Sequence, residues 1–144
     1  MLQLSDIEAA RERLNDQLVY TPCTPSGAFT DLFHGEAWFK FENLQRTGSF
    51  KERGALNRMF LMPAEERERG VIAASAGNHA QGVAYHAGRL GIAATIVMPE
   101  RTPLIKVSNT ESFGARVVRH GAGYDDAMRE AMRIQAIEGQ TLIH

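Results

Sequence analysis

Lys51 is the side chain of this sequence with the widest chemical reach. It follows Thr47-Gly48-Ser49-Phe50 and precedes Glu52, and Ser49 with Glu52 has the Ser-x-x-Glu spacing in which two side chains satisfy the free N–H groups of a helix start. Lys51 is thereby predicted in the first turn of that helix, where the positive end of the macrodipole opposes an ammonium and favours the neutral amine. A neutral amine can attack an aldehyde, so Schiff-base chemistry is open to it, helped by desolvation or a nearby positive charge. The dipole effect amounts to only ~0.3–1 kcal/mol at a surface. A second reading therefore stands beside the first: an exposed lysine whose charge Glu52 or Glu42 offsets.

The other constellation is Ser75-Ala76-Gly77-Asn78-His79, between an apolar run and a helical pattern. In open parallel sheets ligands dock outside the carboxyl ends of strands, and unpaired N–H groups at a helix start attract anions, so a carboxylate could bind here. The alternative is a Ser/Asn-capped turn in which Gly77 supplies an unusual backbone angle. The loop has neither the GxGxxG nor the Walker pattern, so no dinucleotide or nucleoside triphosphate is indicated. His79 and His86 lie seven apart on one helical face. With no third ligand at helical spacing, they read as core or surface histidines and no metal is expected. No Ser-His-Asp ordering or carboxylate pair is supported by spacing.

The elements that must position these residues follow from periodicity. Ser5 and Glu8 have capping-box spacing, and Ile7, Ala10 and Leu14 recur at helical period, which predicts a packed helix over 6–14. Pro22 and Pro25 mark an extended crossing over 20–26, and the aromatic run Ala37 to Glu42 fits a short strand. From Gly70 onward, apolar runs at 71–74 and 93–98 and a further strand at 115–119 alternate with helical patterns at 78–89, after Thr102-Pro103, and at 124–138. Thr102 is expected to cap the middle helix with Pro103 at its first position. Gly114 and Gly139 fall where the second and third of these helices should stop, and Thr141-Leu142-Ile143 reads as another strand. This is an α/β chain with a parallel sheet covered on both faces and right-handed crossovers. The runs Glu65 to Arg69 and Arg129-Glu130 read as solvated helix faces, and Met128 with Met132 as core. No repeat, low-complexity segment or linker interrupts the pattern, and an end at His144, on an apolar strand without a polar tail, reads as a truncation.

Composition narrows the partners. The 144 residues are 44% hydrophobic and 23% charged with a net charge of -1, as in an ordinary one-domain globular protein, and nothing argues for nucleic acid or an anionic membrane. Small molecules are the favoured partners. The single Cys23 rules out an internal disulfide and suits a reducing, cytoplasmic compartment. The first residues lack the apolar core of a secretory leader, and no run approaches a membrane span.

The segment Glu42-Asn43-Leu44-Gln45-Arg46-Thr47-Gly48-Ser49-Phe50-Lys51-Glu52-Arg53-Gly54-Ala55 resembles the cofactor-lysine motif of the threonine dehydratase and serine racemase family. Ser75 to Gly82 resembles that family's asparagine loop, Val97-Met98-Pro99 and Gly114-Ala115 also fall in family positions, and the likeness spans nearly the whole chain. The resemblance implies the second pyridoxal-phosphate (PLP) fold type, tryptophan synthase β-like, and here truncated. Residues 1–50 would belong to the large domain and 51–144 to a small mobile domain. Lys51 would carry PLP and remove the substrate's Cα proton, Phe50 would lie against the ring, and Asn78 would bond the ring's 3′-oxygen. Ser75, Gly77, Asn78 and His79 would hold the substrate carboxylate.

The implied reaction is dehydration and deamination of L-threonine or L-serine, within amino-acid metabolism, isoleucine biosynthesis included, by a homo-oligomer. Family racemases resemble Ser-Ser-Gly-Asn in this loop, whereas this chain has Ala76, so dehydration is favoured over racemisation. The family's glycine-rich phosphate loop and the polar residue facing the pyridine nitrogen have no counterpart here, which implies an inactive piece of an active parent. The competing readings are a related PLP enzyme, such as serine racemase or 3-hydroxyaspartate dehydratase, and a non-catalytic small-molecule or protein-binding module.

Overall fold

The computed structural model describes residues 1–144. Helix α1 (Leu4–Leu14) begins earlier than expected, because Asp6 Oδ2 accepts the Gln3 N–H at 2.8 Å and makes Gln3, not Ser5, the boundary residue. The helix buries Leu14 but leaves Ile7 exposed, so only part of the predicted packing face is used. Strand β1 (Cys23–Pro25) leads to α2 (Gly27–Phe33), and β2 (Trp38–Lys40) returns antiparallel to β1 with Thr24 opposite Phe39. Helix α2 is absent from the sequence reading. Its signal was the i, i+4 pair Phe29 and Phe33, whose rings lie 5.9 Å apart, with Phe39 edge-on to Phe29 at 5.0 Å. The predicted strand over 37–42 is cut short: at Phe41 the backbone leaves the extended region, and a single 3-10 turn follows at Glu42–Leu44.

The rest of the chain has the expected rhythm: α3 (Lys51–Phe60), α4 (Ala64–Arg69), β3 (Val71–Ala74), α5 (Asn78–Leu90), β4 (Ala94–Met98), α6 (Leu104–Ser112), β5 (Arg116–Arg119), α7 (Tyr124–Glu138) and β6 (Thr141–Leu142). The four later strands form a parallel sheet in the order β5-β4-β3-β6. Alternation along a strand sends neighbouring side chains to opposite faces. Val71, Ala73, Ile96 and Met98 accordingly join one apolar cluster with residues of α3, α5 and α6, while Ile72, Ala74 and Val97 join another with Ala127, Ala131 and Ile134 of α7. The two central strands, β3 and β4, are buried on both faces, which is why they read as apolar runs, whereas the edge strand β5 carries exposed arginines.

Two helix-level expectations are corrected. Pro103 itself stands at the boundary of α6, and Thr102 makes no cap: its buried Oγ1 has no partner. On α7 the i, i+4, i+7 stripe Ala127, Ala131, Ile134 faces the sheet, which leaves Met128 at the flank, half-buried, and Met132 exposed. No helix is long and apolar enough to cross a membrane.

Close approach between α5 and the end of α6 depends on Gly88, where an added Cβ would run into the backbone carbonyl oxygen of Phe113. A backbone atom cannot swing aside, so Gly88→Ala is expected to destabilise the chain by roughly 1–3 kcal/mol, the usual cost of overpacking. A fall in the urea midpoint at unchanged slope is the measurement that checks it.

Candidate active-site cleft

The segment before α3 is shaped by its own hydrogen bonds. Gln45 O accepts the Gly48 N–H at 2.9 Å, Gly48 sits at φ +74, and Ser49 Oγ accepts the Lys51 N–H at 3.2 Å. Glu52 is 1% exposed and its Oε1 accepts the Thr47 N–H. The Ser49/Glu52 spacing is thus used differently from a capping box: Ser49 bonds residue 51 instead of 52, and Glu52 reaches back to residue 47 instead of 49. Phe50, with no side-chain cap, occupies the boundary position of α3.

Adjacent side chains at a helix start diverge, and here the divergence separates chemistry from support. Glu52 points inward to His86, whose Nε2 lies 3.2 Å from Oε2. Lys51 is exposed, its Nζ 5.2 Å from the Phe50 ring centroid. Lys51 is exposed, as the second reading has it, but Glu42 is occupied by Arg53, and Glu52 by His86 and Thr47, so neither carboxylate offsets it. Lys51 opens onto a cleft of about 510 Å³ that is also lined by Phe50, Arg58, His79 and Ile143.

The second constellation stands where the topology predicts a ligand. The chain runs from β3 outward to β4 and β5, then crosses back to lay β6 on the other side of β3. The strand order therefore reverses at the carboxyl end of β3, and Ser75 to Asn78 follow that end directly. His79 Nε2 bonds Ile143 O at 3.0 Å and ties the start of α5 to the segment beyond β6. Ser75 Oγ accepts the Gly77 N–H at 3.2 Å, and α5 has no side-chain cap, so the N–H groups of Asn78, His79 and Ala80 are unpaired.

Gly77 corrects one expectation: its φ of -126 and ψ of -153 are extended and require no glycine. An added Cβ there would meet nothing within 4 Å, so the residue borders open space. Phe50, Lys51 and His79 share the cleft, whereas Ser75, Gly77 and Asn78 are not among its lining residues. Contact between the two constellations runs through Gly82 of α5. A Cβ there would lie 3.4 Å from Glu52 N and 3.5 Å from Lys51 C, so the backbones of α5 and α3 nearly touch at the lysine.

Behind α3 lies a polar network that spacing could not reveal. Arg53 Nε and Nη2 bond the two oxygens of Glu42 at 2.7 and 2.8 Å, and Thr21 Oγ1 donates to Glu42 Oε1 at 2.6 Å. The buried Gln45 amide pairs with Val19, accepting its N–H at 3.1 Å and donating to its carbonyl at 3.0 Å. Residues 19–21 and 42–45 are thereby fixed to the helix that starts at Lys51. The Arg53 guanidinium, outweighing the cost of burial and seconded by Thr21, holds the Glu42 carboxyl at about 2, well below its ordinary 4.5.

Comparison with known proteins identifies a family. The family described as "Pyridoxal-phosphate dependent enzyme" matches residues 14–144. The L-threonine ammonia-lyase of Thermotoga maritima is 46% identical over 144 residues, all of this chain and 36% of that protein. The catabolic L-threonine dehydratase of Escherichia coli is 41% identical over 140 residues, 97% of this chain and 43% of that protein. Among solved structures, maize serine racemase superposes with a TM-score of 0.89 at 33% identity over 99% of this chain and 43% of that one. The threonine deaminase isoform 2 of Solanum lycopersicum gives 0.85 at 34% over the same shares, 99% and 43%. The chain therefore spans about two fifths of the length of these relatives.

A carboxylate with a depressed pKa stabilises the fold above its unfolded value, and that contribution is lost as pH falls through the folded value. For Glu42 the window runs from the ordinary 4.5 down to about 2. Glu42→Gln is expected to cost about 1–2 kcal/mol at neutral pH, a figure reduced from the fully buried case because Arg53 is partly in solvent. The gap from the unmodified chain should close progressively below pH 4.5 in urea titrations repeated at each pH.

Proposed function

The chain belongs to the pyridoxal-phosphate dependent enzymes, and from that premise we propose that its full-length parent dehydrates and deaminates L-threonine, or L-serine, to a 2-oxo acid and ammonia. The observation that carries the reading is the Lys51 amine, free of any carboxylate partner and open on the cleft beside the Phe50 ring. The residues present fit the aldehyde end of PLP: an available amine, an aromatic face, and an asparagine at a helix start with a vacant direction at Gly77. When bound, PLP supplies a sink for the electron pair left at Cα when its proton departs.

This chain's own residues would hold the cofactor and the substrate and take the Cα proton. Lys51 would hold the cofactor covalently and, once displaced by the substrate's amine, would accept the Cα proton on Nζ. Phe50 would support one face of the ring, and the Asn78 amide would bond its 3′-oxygen. The substrate carboxylate docks on the Asn78 and His79 N–H groups with the Ser75 hydroxyl, where the start of α5 favours negative charge. The His79 ring is committed to Ile143 O, so its share is the backbone N–H. Gly77 contributes space. Ala76 offers no hydroxyl as a second proton donor or acceptor, which supports dehydration over racemisation. The E. coli relative bears the name catabolic, so the metabolic role we propose is amino-acid breakdown or supply without assignment to isoleucine biosynthesis.

We place residues 1–50 in a large domain and 51–144 in a small mobile one, and the protein in the cytoplasm, in keeping with a free and exposed Cys23. We further propose a homo-oligomer. Phe29, Leu32, Phe33, Trp38, Leu44 and Phe50 are exposed along one stretch of chain, apolar side chains that a second copy could cover. Light scattering is expected to give a mass above 15.9 kDa at high concentration; a strict monomer would remove the idea.

Added PLP should give a visible absorption band, and borohydride reduction with peptide mapping should find the label on Lys51 and lose it in Lys51→Ala. Without the remaining three fifths of its relatives' length, the chain is expected to form no 2-oxobutyrate from threonine. Label scattered over Lys40, Lys51 and Lys106 would remove Lys51 as the carrier.

A further inference from the structure

Glu52 and His86 are the largest investment of polarity in the core, and the proposed reaction uses neither. His86 is 0% exposed and Glu52 1%. Burial of such a pair is a weak source of stability, because desolvation offsets most of the attraction, and its best-attested use is to fix register. Here the register lies between two helices. Glu52 is the residue after Lys51, and His86 is on α5, whose first turn carries Asn78 and His79.

Glu52 Oε1 accepts the Thr47 N–H, and with Glu52 as a carboxylate, an acceptor on both oxygens, His86 donates to Oε2 from Nε2. Its Nδ1 is buried with no partner, which a bare lone pair tolerates better than an orphaned N–H. Burial also lowers the His86 pKa, ahead of the opposing attraction of Glu52, which favours the neutral ring. A chain of contacts results: His86 holds Glu52, Glu52 holds Thr47, and the turn Thr47 to Phe50 launches Lys51 into the cleft. Gly82, one turn before His86, lets the backbones close at Lys51 and Glu52.

We propose that Glu52 and His86 are positioning residues for the Lys51 amine, setting the turn Thr47 to Lys51 against α5 through the hydrogen bonds His86 to Glu52 and Thr47 to Glu52. The bonds themselves are independent of the reading of Lys51 as cofactor carrier; their purpose rests on it. His86→Leu leaves a buried carboxylate with one donor, and Glu52 is expected to turn to solvent and release Thr47. His86→Gln retains a neutral donor near the Nε2 position and should preserve the turn. In Glu52→Gln the amide becomes the donor, so His86 must become the acceptor at Nε2 and carry its proton on Nδ1.

The test uses the 144-residue chain, whose lysines are Lys40, Lys51 and Lys106. Amide exchange at Thr47 should accelerate roughly ten- to hundredfold in His86→Leu, the fold-change of losing a hydrogen bond to a charged group, and stay near the unmodified rate in His86→Gln. Pyridoxal phosphate trapped by borohydride should fall on Lys51 in the unmodified chain and in His86→Gln, and drop to the level of Lys106 in His86→Leu. Unchanged Thr47 exchange in a folded His86→Leu overturns the positioning role. Equal labelling of the three lysines in the unmodified chain overturns the carrier reading instead, while Thr47 exchange still decides the positioning. Should His86→Leu not fold, nitrogen chemical shifts of His86 decide: a proton on Nε2 that moves to Nδ1 in Glu52→Gln supports the proposal, and one already on Nδ1 in the unmodified chain overturns it.

Discussion

Glu52 is a carboxylate cut off from water, and a buried charge must be answered by donors that stay in place. The answers come from two directions, the Thr47 N–H five residues back and His86 Nε2 on the neighbouring helix. Satisfying that one group therefore fixes a turn, a helix start and the distance between two helices at once. The same constraint throws the preceding side chain outward, because neighbours at a helix start cannot share a direction. Lys51 is open to the cleft while Glu52, one residue on, is shut into the core.

The sheet supplies the second half of the arrangement. Strand order reverses at β3, and the crevice that such a reversal leaves is where the chain places Ser75 to Ala80, with free N–H groups on Asn78, His79 and Ala80. Small residues let the two halves meet: Gly82 where α5 passes the lysine, Gly88 where it passes the end of α6, and Ala127 and Ala131 where α7 lies on the sheet. Burial of β3 and β4 on both faces makes the sheet a rigid base, so the loop after β3 and the turn before α3 are positioned by the same core.

The polar seam behind α3 does a different job. Arg53 grips Glu42 with two bonds while Gln45 mimics a strand partner for Val19. Residues of the early chain are thus tied to the helix of the lysine by directional groups, where an apolar contact would permit sliding. Exposed aromatic side chains from Phe29 to Phe50 lie on the same early stretch, so the part of the fold with the least apolar burial is held chiefly by hydrogen bonds and charge.

Local rules were enough for much of this protein. Apolar runs of four to six residues between glycines and helical stripes determined the later βαβ order, and Gly114 and Gly139, at φ +89 and +70, ended helices where their position said they would. The motifs around Lys51 and Asn78 determined which residues could carry chemistry and what family they resemble. Tertiary structure alone decided the partners. Ser49 and Glu52 have capping-box spacing, yet Glu52 turned inward, because spacing cannot register a histidine 34 residues away waiting in the core. Gly77 reads as a backbone special and is an ordinary extended residue; Thr102 reads as a cap and is an orphan; Met132 reads as core and is wet. Propensity and periodicity are sums over neighbours in sequence, whereas the direction of a polar side chain is set by whichever donor or acceptor the fold brings within 3 Å of it.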